Sequence, residues 1–197
     1  MEGIITIASA VLFLLFAYIV FRRIVRREYR EKGRLGPWAS FAQFLVFAGY
    51  FAFPYLFNPP HWPWFWQLND ESTQLFQIAG IILIILGMAI AFGTMIWFGI
   101  RRAFGLHVEG IIQQGPYKFS RNPQMLGGYL LVLGVFLQWP SAYMVGWVLM
   151  FALIGHWMII TEEEQLARAF GQEYESYCQE VPRYLRLGRR QSEDRLA

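Results

Sequence analysis

Long apolar runs that contain no Asp, Glu, Lys or Arg dominate the pattern of the chain. They cover residues 4–21, 38–57, 75–100 and 125–161. At ~1.5 Å per helical residue, each of the first three is long enough to cross a hydrocarbon core of roughly 30 Å. Backbone groups in lipid must be paired within the segment, so helices are the expected form. These runs predict the first three spans of a membrane protein.

The fourth run is too long for one ordinary crossing, and Gln138-Trp139-Pro140-Ser141 lies near its middle. Proline cannot continue a helix without losing a hydrogen bond, so this run predicts two helices in a tight hairpin. Each half is short for a membrane span, because ~18 helical residues reach only about 27 Å. The predicted fold is all-α, a polytopic transmembrane helical bundle with about five spans.

Basic residues give the predicted orientation. Seven of them follow the first run: Arg22, Arg23, Arg26, Arg27, Arg30, Lys32 and Arg34. The segment 58–74 contains none, and Lys and Arg favour the cytoplasmic side. We expect an N-terminus outside, a C-terminus in the cytoplasm and a multi-pass integral membrane protein.

Composition supports lipid as the surroundings of this chain. It is 56% hydrophobic and only 16% charged, and its net charge of +3 comes from basic residues beside apolar runs. That placement indicates membrane lipids as partners and argues against nucleic acid. One cysteine and scattered histidines give no zinc-type spacing, so we predict no metal. The oligomeric state is left open.

Weaker patterns concern packing. Leu166, Phe170, Tyr174 and Tyr177 recur at helical spacing among charged residues, which predicts a separate amphipathic helix after the last span. Ala89 and Gly93 have a spacing that favours close helix contact.

The segment before the hairpin carries the first candidate chemistry. Asn122 and Pro123 have the types expected of an N-cap and a first helical residue. Free amides at the helix start, the helix dipole and the guanidinium of Arg121 together predict a site for a carboxylate or a phosphate. The alternative is a capped helix with an arginine that faces lipid headgroups.

Three carboxylates, Glu162, Glu163 and Glu164, stand where the hairpin returns to the same membrane face as Arg121. We expect the first two to face the site, and Glu164 to favour the N-terminal turn of the amphipathic helix. His156 lies seven residues before Glu163. It either lines the site or, more commonly for such a residue, is neutral and hydrogen-bonded inside the bundle.

Two motifs resemble the isoprenylcysteine carboxyl methyltransferase family, which is itself similar to the phospholipid N-methyltransferases. The first motif is Ile111-Ile112-Gln113-Gln114-Gly115-Pro116-Tyr117 followed by Arg121-Asn122-Pro123-Gln124-Met125-Leu126-Gly127. The second is Glu162-Glu163-x-x-Leu166 with Phe170-Gly171-Gln172-Glu173-Tyr174 and Val181-Pro182. The resemblance covers about residues 105–185.

The resemblance implies a membrane methyltransferase that uses S-adenosylmethionine. Its cofactor-binding residues would be Glu109, Gly110, Ile111, Ile112, Tyr117, Asn122, Pro123, Gln124, Met125 and Glu162. Arg121 and Glu163 would be catalytic. Residues 1–100 would form an N-terminal region of three transmembrane helices, and residues 101–197 the methyltransferase region with the cofactor loop, the hairpin and a cytoplasmic helix.

The methyl acceptor implied by the resemblance is a lipid or an isoprenylated, lipid-like molecule, with carboxyl O-methylation favoured. Met158 stands where prenylcysteine-methylating members carry an arginine, and Asn122 and Met125 replace a histidine and a tyrosine. N-methylation of a phospholipid amine is the enzymatic alternative. A membrane assembly or binding protein without turnover is the alternative from another class.

Overall fold

The computed structural model describes residues 2–57, 74–99 and 110–185, and the regular structure within them is helical. The helices are α1 (Glu2–Ile19), α2 (Arg26–Lys32), α3 (Pro37–Phe57), α4 (Gln74–Phe98), α5 (Pro123–Gln138), α6 (Ala142–Phe170) and α7 (Gln172–Glu180). A π-helical segment, Val20–Val25, joins α1 to α2, and a 3-10 turn, Gly115–Lys118, precedes α5. The predicted all-α fold is confirmed.

Among the described residues, four helical segments are long and apolar enough to cross a membrane. They are Gly3–Lys32, Pro37–Leu56, Gln74–Trp97 and Ala142–Phe170. The apolar helix α5 has 16 residues, which gives a length of about 24 Å. It is the short member of the predicted hairpin, and the count of five spans stays a prediction.

The breaks between helices follow from local chemistry. Gly33 ends α2 in the left-handed region, with φ of 69°, and its amide donates to Tyr29 O at 3.0 Å. Glycine adopts this conformation without the Cβ clash that other residues meet. In the hairpin, the Ser141 side chain caps α6 by accepting from the Met144 amide at 3.2 Å. The break predicted around Pro140 is therefore confirmed.

The end of the hairpin differs from the prediction. α6 runs without interruption past Thr161 to Phe170, and the chain turns at Gly171 before α7 begins. No helix breaker stands between residues 161 and 170, so the span and the first part of the predicted amphipathic helix form one helix. Glu164 lies well inside α6, and the expectation that it serves an N-terminal turn was wrong.

The main core lies where α1, α3, α5 and α6 meet. At its centre the rings of Tyr50 and Trp147 stack with centroids 4.7 Å apart. The two residues also exchange hydrogen bonds: Tyr50 Oη donates to Trp147 O at 3.1 Å, and Trp147 Nε1 donates to Tyr50 O at 3.2 Å. This arrangement pairs the polar atoms of two large aromatic residues inside an apolar core.

Glycines bring α4 and α5 into direct backbone contact, and this is the most extensive helix pairing of the described residues. A Cβ added at Gly87 would lie 2.6 Å from Gly127 O, and one added at Gly134 would lie 2.6 Å from Gly80 O. Small residues allow such close approach between helices in lipid. Gly93, the glycine expected to make a close contact, has no atom within 4 Å of such a Cβ. The interface uses the face with Gly80 and Gly87 instead.

Candidate functional site

The candidate residues gather at one end of the bundle. We call it the charged end, and it includes Arg22, Arg121 and Glu163 together with the turn at Gly33. The Nη1 atom of Arg121 lies 3.2 Å from Glu163 Oε1, and both side chains are nearly buried, at 13% and 12% exposed. The hairpin thus brings these two residues together, as their positions at its two ends predict. Their chemical roles stay predictions.

A second arginine holds Glu163 more tightly. Arg183 donates from Nη2 to Oε2 at 2.6 Å and from Nε to Oε1 and Oε2 at 3.1 and 3.0 Å. A guanidinium that uses two nitrogens on one carboxylate is stronger and more directional than a single contact. These hydrogen bonds raise the pKa of Arg183 above its ordinary value. Two guanidinium groups therefore face one carboxylate.

Arg183 belongs to a strap, residues 181–185, that lies along the loop before α5. The Arg121 amide donates to Pro182 O at 3.0 Å. Ser120 Oγ and Asn122 Nδ2 both donate to Arg183 O, at 3.2 and 3.1 Å. The strap thus fixes the backbone on both sides of Arg121.

Asn122 occupies the N-cap position of α5, as expected, but its side chain does not cap the helix. Its amide group is instead turned toward the strap, and its own backbone N donates to Ser120 Oγ at 3.1 Å. The expectation that the Asn122 side chain accepts from an orphan amide was wrong. The strap supplies a backbone acceptor that the local sequence does not reveal.

Two side chains of α7 complete the surroundings of Arg121. Its Nη1 atom contacts Tyr174 Oη at 3.4 Å and the sulfur of Cys178. Burial, followed by the charge of Glu163, raises the pKa of Tyr174 above its usual range. Among the described residues, no acceptor pairs with the buried Arg121 Nε.

Tyr177 links α7 to the 3-10 turn by donating from Oη to Tyr117 O at 2.8 Å. Burial raises the pKa of Tyr177 to about 12, and the nearby charge of Arg121 acts in the opposite direction. Tyr174, Tyr177 and Val181 form a small apolar cluster with Leu166 and Phe170. The shared face predicted from their helical spacing is confirmed, although it is divided between α6 and α7.

Glu162 is partly buried and faces a different direction from its neighbours. Its carboxylate lies within electrostatic reach of Tyr29 and Tyr117. Burial, followed by the charge of Glu162, raises the pKa of Tyr117 above its usual range. In the part of the chain that the structure describes, no side chain makes an ion pair or a hydrogen bond with Glu162.

The 3-10 turn forms the wall beside Glu162. Tyr117 is buried, donates from Oη to Gln124 Oε1 at 2.7 Å and stacks on Trp97 with ring centroids 6.2 Å apart. Gly115 has a positive φ of 57°, and a Cβ there would meet the Trp97 ring at 2.9 Å. Glycine is therefore required at the start of this turn.

The other predicted cofactor residues have varied surroundings. Ile111 packs on the Tyr174 cluster, Ile112 is partly buried and Gly110 is exposed. Pro123 is buried, and Met125 belongs to the main core. Glu109, the remaining predicted cofactor residue, lies outside the described residues. So does the segment 58–73, which was used to predict the orientation.

Glu164 faces the first helix rather than the site. Its carboxylate accepts from Arg22 Nη2 at 2.9 Å and from Arg26 Nε at 2.6 Å. Arg22 also donates to Thr161 Oγ1 at 3.1 Å. These contacts fasten the π-helical segment and the start of α2 to the C-terminal part of α6.

His156 is exposed on the surface of α6. The expectation that it is buried and hydrogen-bonded in the bundle was wrong, because its position in the helix turns it away from the core residues Ile154 and Met158. Within the described ranges, no group of three His, Cys, Asp or Glu is arranged to hold a metal ion.

Residues 75–173 match the family model described as phospholipid methyltransferase, which is just over half of the chain. The chain belongs to the phospholipid methyltransferase family. This membership identifies an integral membrane protein of a lipid methyltransferase family, in line with the resemblance of the two motifs. The matched region contains Arg121 and the three glutamates. No curated protein and no solved structure matches the chain.

Arg183 is the site residue that the sequence did not point to. It lies beyond the matched region, and neither of the two motifs contains it. The signal was indirect: Val181-Pro182 belongs to the second motif, and a proline there ends α7 and starts the strap. The Cys178 contact with Arg121 was also missed, since a lone cysteine has no pairing pattern.

Proposed function

We propose that the chain is an S-adenosylmethionine-dependent methyltransferase that acts on a lipid acceptor at the cytoplasmic face of the membrane. Family membership supports the methyltransferase assignment. The observation that carries the cofactor assignment is Glu162, a partly buried carboxylate with no described partner beside the buried Tyr117. Such a carboxylate suits an ammonium group, which the methionine part of the cofactor has.

The residues of the candidate site fit the cofactor at three points. Glu162 accepts from the ammonium group, and the start of α5 with Arg121 provides positive charge for the carboxylate. Ile111, Ile112 and the turn at Tyr117 provide apolar and aromatic surface for the adenine, and the predicted roles of Glu109 and Gly110 accompany them. The predicted roles of Asn122, Pro123, Gln124 and Met125 belong to the same proposal.

The cofactor supplies an electrophilic methyl group on a sulfonium. The residues of the chain hold the donor, orient the acceptor for in-line attack and exclude water, which are contributions of position and desolvation. Arg121 and Glu163 organise this pocket. The orientation with an outside N-terminus and the division of the chain at residue 100 accompany the proposal, because they place all the basic segments and the charged end in the cytoplasm.

Two acceptor chemistries are compatible with the proposal. Resemblance to the isoprenylcysteine carboxyl methyltransferases favours a carboxylate, and the family match favours a phospholipid amine. One contact supports the amine: Met158 is buried and its sulfur accepts from Gln43 Nε2 at 3.7 Å, so no cation stands there to pair with an acceptor carboxylate. Membranes incubated with methyl-labelled cofactor distinguish the two, since an ester releases its label in base and a methylated amine keeps it.

The cofactor assignment is tested by binding of S-adenosylhomocysteine, the demethylated cofactor, to purified protein in detergent. Glu162→Gln keeps the shape of the side chain but removes its charge, and a lost charge-assisted hydrogen bond of ~1.5–3 kcal/mol predicts a Kd increased about tenfold or more. Glu175→Gln on the exposed side of α7 is the matched control, with an expected change below about twofold. Folded wild-type protein that binds no S-adenosylhomocysteine would refute the enzyme and favour a membrane assembly protein.

A further inference from the structure

The ion-pair cluster of Arg121, Glu163 and Arg183 joins two guanidinium groups to one carboxylate. Arg121 and Arg183 bring two positive charges to the single negative charge of Glu163. The Arg183 guanidinium occupies both carboxylate oxygens, whereas Arg121 reaches only one of them, at 3.2 Å. Glu163 is therefore neutralised mainly by Arg183.

We propose that Arg183 is a positioning residue of the cofactor pocket: by neutralising Glu163, it leaves the positive charge of Arg121 available to the carboxylate of the bound cofactor. This inference rests on the proposed function and extends it to a residue outside the region matched by the family model. Arg183 itself has no contact with the cofactor in this proposal.

The geometry around Glu163 supports a role that goes beyond a surface ion pair. Arg183 is 40% exposed, but the carboxylate it holds is only 12% exposed. Exposed pairs contribute little, whereas a bidentate pair to a nearly buried carboxylate is directional and weakly screened. The Arg183 carbonyl, which accepts from Ser120 and Asn122, keeps this side chain in place.

Without the Arg183 side chain, the nearly buried Glu163 would have Arg121 as its remaining described partner. The pair would be neutral, and the carboxylate would compete with any anion for the same guanidinium. The affinity for a ligand with a carboxylate should then fall. The affinity for a ligand that lacks a carboxylate should stay unchanged.

Two ligands and purified protein in detergent provide the test. S-adenosylhomocysteine carries the amino-acid carboxylate, and 5′-methylthioadenosine has the same adenosine and thioether without it. For Arg183→Ala we expect the Kd of S-adenosylhomocysteine to rise about tenfold or more, and that of methylthioadenosine to change less than about twofold. Arg183→Lys keeps a charge without the planar fork, so its loss of affinity for S-adenosylhomocysteine should be intermediate.

The control is Arg168→Ala, which removes an exposed arginine of α6 that lies 3.9 Å from Glu164. Both ligands should bind it as they bind wild type. If Arg183→Ala does not fold, as judged by its melting temperature, Arg183→Gln repeats the measurement with a neutral side chain that can still form hydrogen bonds.

The outcomes separate this inference from the proposed function. Wild-type protein that binds neither ligand overturns both. Wild-type protein that binds S-adenosylhomocysteine, together with an Arg183→Ala variant that binds it equally well, overturns the inference alone. Equal weakening of both ligands would show that the strap only maintains the shape of the pocket, and it would also overturn the inference alone.

Discussion

The backbone contact between α4 and α5 gives the sharpest stability prediction. A Cβ at Gly87 would lie 2.5 Å from Leu131 N and 2.6 Å from Gly127 O, whereas ordinary contact begins at 3.4 Å. Neither obstacle is a flexible side chain, so Gly87→Ala requires the two helices to separate by most of an ångström. A gap of that size forfeits about a quarter to a half of the dispersion energy of the contacts it opens.

The magnitude follows from two opposing effects. Overpacking of this kind costs ~1–3 kcal/mol, and the higher helix propensity of alanine returns about 1 kcal/mol at most. Gly87→Ala should therefore destabilise the protein by up to about 2 kcal/mol. Gly93→Ala lies on the same helix, where an added Cβ meets nothing within 4 Å, and should be neutral or slightly stabilising.

Unfolding by sodium dodecyl sulfate in mixed micelles, followed by tryptophan fluorescence, measures both variants under one condition. The separation also moves the start of α5, so Gly87→Ala should bind S-adenosylhomocysteine more weakly than Gly93→Ala does. Unfolding midpoints that coincide for the two variants would show that the helices are not in backbone contact, and the packing argument would fail.

Two further predictions concern links at the charged end. Glu164→Gln removes the charge that Arg22 and Arg26 share, at 2.9 and 2.6 Å, and should lower the free energy of unfolding by ~1–3 kcal/mol; in the same detergent assay a loss no larger than that of Arg168→Ala would contradict this. Because burial raises the pKa of Tyr177 to about 12, above the ordinary value near 10, its stabilising contribution is complete below pH ~10 and is lost as pH rises toward 12. Alkaline melting curves should therefore fall more steeply for wild type than for Tyr177→Phe, and parallel curves would refute the assignment.

The sequence predicted the parts of the fold that depend on local chemistry. The charge-free runs predicted the helices, and Pro140 predicted the turn of the hairpin, because hydrophobicity and helix breaking act over neighbouring residues. The contact of Arg121 with Glu163 was predictable for a related reason: the two residues flank the ends of one hairpin. No comparable constraint connects Arg22 with Glu164, whose pairing depends on how α1 packs on α6.

Helix faces were the harder part of the prediction. Gly93 and Gly87 are both glycines of α4, and only the packing of α5 decides which one is in contact. His156 was expected inside the bundle, but its face of α6 is outward. Arg183 was missed because a short strap without regular secondary structure has no periodicity to interpret.

The cysteine inventory has a practical consequence for spectroscopy. Cys178 is the single cysteine of the chain, and it lies against Arg121. A thiol-directed spin label or fluorophore would therefore report from beside Arg121 in the native sequence, with no other thiol of the chain to remove.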